Sequence, residues 1–99
     1  MLRYRKGVRM NKEFFTHARM LKAMSDENRL RILQMLKERE YNASELLEEM
    51  KFGQSTLSHH MKLLSNSGLV TAKKNGKWTI YSLVPEAFDD ISDWIRKFV

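Results

Sequence analysis

The chain contains no cysteine. That absence excludes disulfides, thiol redox sensing and thiolate metal sites together. No apolar run approaches the roughly 20 residues of a membrane span, and the basic N-terminus is not followed by the apolar core of a signal peptide. The chain is therefore read as cytoplasmic. A third absence is local. No Asp or Glu occurs anywhere from Met50 to Pro85. An ordinary solvated surface carries several, so something about this stretch disfavours negative charge.

What is present is a chain of 99 residues, 42% apolar, with a formal net charge of +6. The length suits one domain with a modest core, and the apolar content argues against disorder. The positive charge is segregated. Residues 1–12 carry Arg3, Arg5, Lys6, Arg9 and Lys12 without an acid, and residues 50–85 carry Lys51, Lys62, Lys73, Lys74 and Lys77 without an acid. The segments 13–49 and 86–99 are each net negative. Such segregation points to a surface that meets a polyanion.

Residues 1–10 read as a flexible basic arm, with Met10 an alternative start; residues 11–99 read as a single domain. A first helix is expected over 11–24, with Phe14, Phe15, Ala18, Leu21 and Met24 at helical spacing. A second begins near Ser25, which can cap it, and carries Leu30, Leu33 and Leu36 with Ile32 and Met35 as its apolar stripe. Asn42-Ala43-Ser44-Glu45 has capping-box spacing for a short third helix over 43–50, with Leu46, Leu47 and Met50 inward. Gly53 suits the tight reversal that follows. A fourth helix, from Gln54 to about Asn66, places Leu57, Met61 and Leu64 on one side. Ser55, Ser58, His59, Lys62 and Asn66 fall on the other. Gly68 suits its C-terminal cap. Strands over 69–72 and 78–83 flank Asn75-Gly76, a strong hairpin signal. Pro85 fits the first turn of a last helix, whose stripe is Phe88, Ile91, Trp94, Ile95 and Phe98.

A short helix, a brief turn and a polar-faced helix make a helix-turn-helix. The fourth helix shows hydroxyls, an amide, imidazoles and one lysine, which hydrogen-bond to base edges and phosphates without repelling them. The hairpin that follows bears three lysines. The expected fold is mainly α with a small β-hairpin, a winged helix-turn-helix in the order α-α-α-α-β-β-α. The candidate DNA-binding residues are Gln54, Ser55, Thr56, Ser58, His59, His60, Lys62, Lys73, Lys74 and Lys77. His60 stands about 60° from the core direction, so a buried role competes with a phosphate contact. The wing lysines supply affinity rather than sequence choice. The arm arginines are candidates for DNA too, against the simpler reading of a loose tail. Five large apolar residues on the last helix exceed what so small a core can absorb. A subunit interface is therefore expected at Phe14, Phe15, Leu21, Phe88, Ile91, Trp94, Ile95 and Phe98.

Four segments also resemble a known family. Residues 21–33, LKAMSDENRLRIL, resemble the "LKALSDPTRLRIL" helix start of the ArsR/SmtB-type winged-helix repressors. Ser44-Glu45-Leu46 resembles their "SEL" entry to the helix-turn-helix. Residues 54–62 resemble their "SQSTVSHHLK" recognition helix, and Ser67-Gly68-Leu69-Val70 with residues 76–81 resemble their wing. The resemblance implies a homodimer joined by its first and last helices. Two recognition helices would then enter successive major grooves of a palindromic operator and block transcription, with an effector that lowers DNA affinity.

The chain departs from the metal-sensing members. Asn42 and Ser44 stand at their Cys-x-Cys positions, and the last helix has Asp89, Asp90 and Asp93 but no histidine. His17 with a last-helix Asp of a second subunit is the remaining metal arrangement, and a weak one. No metal site and no cofactor are expected, and the effector is a small molecule, a protein or absent. No nucleophile, carboxylate pair or phosphate loop suggests an enzyme. The competing reading is a winged-helix module for protein partners, without sequence-specific DNA binding.

Overall fold

The computed structural model describes residues 12–99. The basic arm and Asn11 lie outside the described residues. Helix α1 spans Lys12–Met24 and α2 Glu27–Glu38. The cap of α2 is Asp26 rather than Ser25. With an extended backbone, Asp26 turns its carboxylate onto the Arg29 N–H at 3.0 Å. That bond holds the Asp26 carboxyl below its ordinary range. The inward residues of α2 are Arg29, Ile32, Leu33 and Leu36, while Leu30 is 49% exposed. The stripe is thus rotated from the one expected, and a charged residue takes a core position.

A two-residue strand, β1 (Tyr41–Asn42), precedes α3 (Ala43–Met50). The capping box forms as read: Asn42 Oδ1 accepts the Glu45 N–H at 2.8 Å and the Glu45 carboxylate accepts the Asn42 N–H at 2.9 Å. Helix α3 ends on Lys51 in the left-handed region, φ 58°. Gly53 instead has φ −72° and caps α4 (Gln54–Asn66). The left-handed residue of the turn is therefore a lysine, at a cost of about 1 kcal/mol, and the glycine is not required by its backbone angle.

Gly68, at φ +85°, ends α4 and turns the chain into the hairpin of β2 (Val70–Asn75) and β3 (Trp78–Leu83). Asn75 pairs with Trp78, so the loop is Gly76-Lys77 rather than Asn75-Gly76. Gly76 carries positive φ and Lys77 does not, a pattern that places glycine first, as a type II′ turn requires. The strand β1 adds to the far side of β3, giving the antiparallel order β1-β3-β2. Its pairings are Tyr41 with Tyr81 and Asn42 with Ile80.

Helix α5 (Pro85–Arg96) begins at Pro85 and lays Ala87 and Ile91 into the core. Ile32, Leu46, Leu64 and Leu69 are completely buried at the centre, each worth roughly 1.5–3 kcal/mol. Met20 and Ala23 close the core from α1, with Tyr81 and Leu83 from β3. Among the described residues no helix is long and apolar enough to cross a membrane. The fold is a winged helix-turn-helix, mainly α with a small antiparallel sheet.

Candidate nucleic-acid interface

The position of α4 follows from its buried side. Leu57, Met61 and Leu64 are sealed in the core, which fixes the helix rotation. Gln54, Ser55, Thr56, Ser58, His59 and Lys62 are consequently all exposed. Among the described residues, none of the side chains of Gln54, Ser55, Thr56, Ser58 or Lys62 makes a hydrogen bond or ion pair. Their donors and acceptors face solvent uncommitted. The helix start adds backbone N–H groups with no side-chain cap over them, a further attraction for phosphate.

His60 is placed differently. It is 7% exposed, and its Nδ1 meets the Arg29 guanidinium at 3.0 Å. The Phe52 ring lies 5.5 Å away and the His59 ring 5.9 Å. Burial pushes its pKa below the ordinary 6.5; the charges of Arg29 and His59 add to this and Asp26 opposes it. His60 is thus largely buried and clamped at Nδ1, unlike the exposed residues around it on α4.

Lys73, Lys74 and Lys77 are exposed on the wing. Lys73 pairs across the hairpin with Ile80 and Lys74 with Thr79, so the two point to opposite faces of the ribbon. Lys77 lies in the loop with its Nζ 5.4 Å from the Trp78 ring.

The residues expected at a subunit interface divide into three groups. Phe14, Phe15, Leu21, Ile95 and Phe98 are exposed, at 55%, 61%, 38%, 42% and 76%. Phe88 and Trp94 are half-buried. Ile91, at 4%, belongs to the protomer's own core. The face of α1 bearing Phe14, Phe15 and Leu21 points away from that core, which α1 meets through His17, Met20 and Ala23. Trp94 sits at the centre of an aromatic group, with Phe14 at 6.3 Å and Phe98 at 5.2 Å.

His17 does not need a second subunit to find an aspartate. Its Nε2 donates to Asp90 Oδ2 of the same chain at 3.0 Å. Its ring lies 4.6 Å from Trp94.

Sequence reasoning missed Arg29. It is 8% exposed and donates to the Ala23 carbonyl at 2.6 Å as well as to His60. The available signal was spacing, since 29, 32, 33 and 36 form one helical stripe. The thiophilic site of metal sensors does not fit these residues. Of the two positions matching the cysteines, Asn42 commits its side-chain oxygen to capping α3; an amide and a hydroxyl are poor ligands for a soft cation.

A helix-turn-helix with an exposed, acid-free second helix and a basic wing defines a DNA-binding regulator of transcription rather than an enzyme. The comparisons agree. Residues 26–72 match the model of the bacterial regulatory protein arsR family. The chain is 49% identical over 72 residues to an arsenical resistance operon repressor of Staphylococcus xylosus, covering 73% of this chain and 69% of the relative. It is 38% identical over 85 residues to the transcriptional activator HlyU of Vibrio cholerae, covering 81% and 79%. The solved structure of HlyU from that organism superposes with a TM-score of 0.71 at 34% identity, covering 90% of this chain and 98% of the other. The chain belongs to the ArsR family of bacterial transcriptional regulators.

Proposed function

We propose that the protein is a homodimeric repressor that reads a palindromic operator through α4 and the wing. The observation that carries this is the exposed face of α4, where five polar side chains stay uncommitted on a segment without a carboxylate. Ser55, Ser58, His59 and Lys62 would face the major groove, and Gln54 and Thr56 the phosphates near the helix start. Lys73, Lys74 and Lys77 would hold the backbone or minor groove. The arm arginines could add phosphate contacts.

The exposed aromatic face of α1 and α5 supports the homodimer. Phe14, Phe15, Leu21, Ile95 and Phe98 would be covered by the same residues of a second copy, with Phe88 and Trp94 at the margin. Two α4 helices about one DNA turn apart would then engage the two half-sites. Without a thiophilic site, the effector in this reading is a small molecule, a protein partner or absent, and a cytoplasmic location suits the role.

A gel-shift titration against the DNA upstream of the coding sequence tests the proposal. With 6–10 phosphates contacted, affinity should drop about 10³–10⁵-fold between 50 and 200 mM salt. Absence of salt-dependent DNA binding would overturn it and favour a module for protein partners.

A further inference from the structure

Arg29 reaches from the first turn of α2 to the recognition helix. Its guanidinium donates to the Ala23 carbonyl at 2.6 Å, the Lys22 carbonyl at 3.4 Å and His60 Nδ1 at 3.0 Å. The Asp26 carboxylate lies 3.9 Å from Arg29 Nη1. A guanidinium has donors only, so His60 Nδ1 must accept and carries no proton. The imidazole hydrogen then sits on Nε2.

Nε2 makes no hydrogen bond among the described residues. Among the described residues His17 Nδ1 is the only buried side-chain polar atom with no partner. His60 Nε2 is therefore not sealed, although the residue as a whole is only 7% exposed. A rigid ring, clamped at one nitrogen and packed by Phe52, presents a single N–H to solvent beside the exposed His59.

We propose that Arg29 is a positioning residue for DNA binding: it fixes His60 in the Nε2–H tautomer, so that the ring offers one directed donor to a backbone phosphate. The proposal rests on α4 lying against DNA. Protonation of Nδ1 would set a hydrogen against the guanidinium. The groups facing His60 are Arg29 and Asp26 from the start of α2 and His59 from its own helix.

Two substitutions separate the ends of the ring. His60→Asn keeps an acceptor near Nδ1 for Arg29 and lacks the far donor. His60→Gln keeps a donor near Nε2. Binding to a random-sequence duplex is the assay, because a phosphate contact does not depend on base sequence. His60→Asn should lose about tenfold in affinity, the range for a hydrogen bond to a charged group. His60→Gln should recover most of that loss. Neither should change the salt slope, since a neutral donor displaces no counterion. Nitrogen-15 NMR of the imidazoles should show His60 with its proton on Nε2, shifting toward a tautomer mixture in Arg29→Met. A proton on Nδ1 in the wild type, or full affinity in His60→Asn, would overturn the proposal. Loss of all DNA binding by the wild type would instead overturn the placement of α4, with the NMR result still standing.

Discussion

Two surfaces of this small domain are built on opposite rules. The outer face of α4 is polar and free of carboxylates, and its exposed side chains from Gln54 to Lys62 make no hydrogen bond among the described residues. The outer face of α1 and α5 is aromatic, and α5 also carries Glu86, Asp89, Asp90 and Asp93. The first surface has potential to hydrogen-bond and nothing to desolvate it. The second has apolar area that water solvates poorly. One suits a hydrated polyanion, the other a second apolar surface. The contrast shows how one short chain can carry two chemically distinct surfaces without separate domains: no carboxylate occurs from Met50 to Pro85, and α5 holds four.

The largest effect should come from violating that division. His59→Glu places a carboxylate in the middle of the α4 face; DNA affinity should fall at least about 100-fold, as like charges brought together cost several kcal/mol. Thermal stability should barely move, because the side chain is exposed, and a melting curve beside the gel shift checks both. Trp94→Glu attacks the other surface and should give monomers by sedimentation, with weakened operator binding as a consequence. An intact dimer would disconnect the aromatic face from assembly. Replacing Lys73, Lys74 and Lys77 together by Ala should lower the salt slope of binding by about 3, near 0.9 for each neutralised phosphate. An unchanged slope would remove the wing from the interface.

Smaller effects sharpen the picture. His60 is held below its ordinary 6.5 in the folded state. The unfolded chain therefore takes up that proton first as pH falls, so the stability present above about 6.5 declines as pH drops through the folded value. Urea titrations of the wild type and His60→Asn should diverge in pH dependence over that range. The smallest effect is expected at Gly53, where a Cβ would meet nothing within 4 Å. Gly53→Ser supplies the missing cap of α4 and should stabilise by a few tenths of a kcal/mol, read as a slight rise in melting temperature.

The helix-turn-helix was legible because its signals are local. The capping box at Asn42 and Glu45, the stripe Leu57-Met61-Leu64 and Pro85 at the start of α5 each act within a turn or two. The polar face of α4 followed from the same stripe, by exclusion. What escaped depends on partners distant in sequence. Strand β1 has two residues and exists because Tyr41 finds Tyr81. Arg29 is buried because Ala23 and His60 give it acceptors. His17 finds Asp90 across 73 positions. The apolar residues of α1 were recognised, but only the packed chain shows that Phe14, Phe15 and Leu21 turn away from the protomer's core.

Asn42 ties two parts of the molecule together through Ile80 and Glu45. Its backbone joins Ile80 of the wing, its side chain caps α3, and its own N–H is held by Glu45. The β-ribbon and the first helix of the helix-turn-helix therefore meet at one residue. A relative with a sulfur ligand at this point would bind its metal at the junction of ribbon and helix; here an amide fills the junction and its oxygen is already spent on the α3 cap.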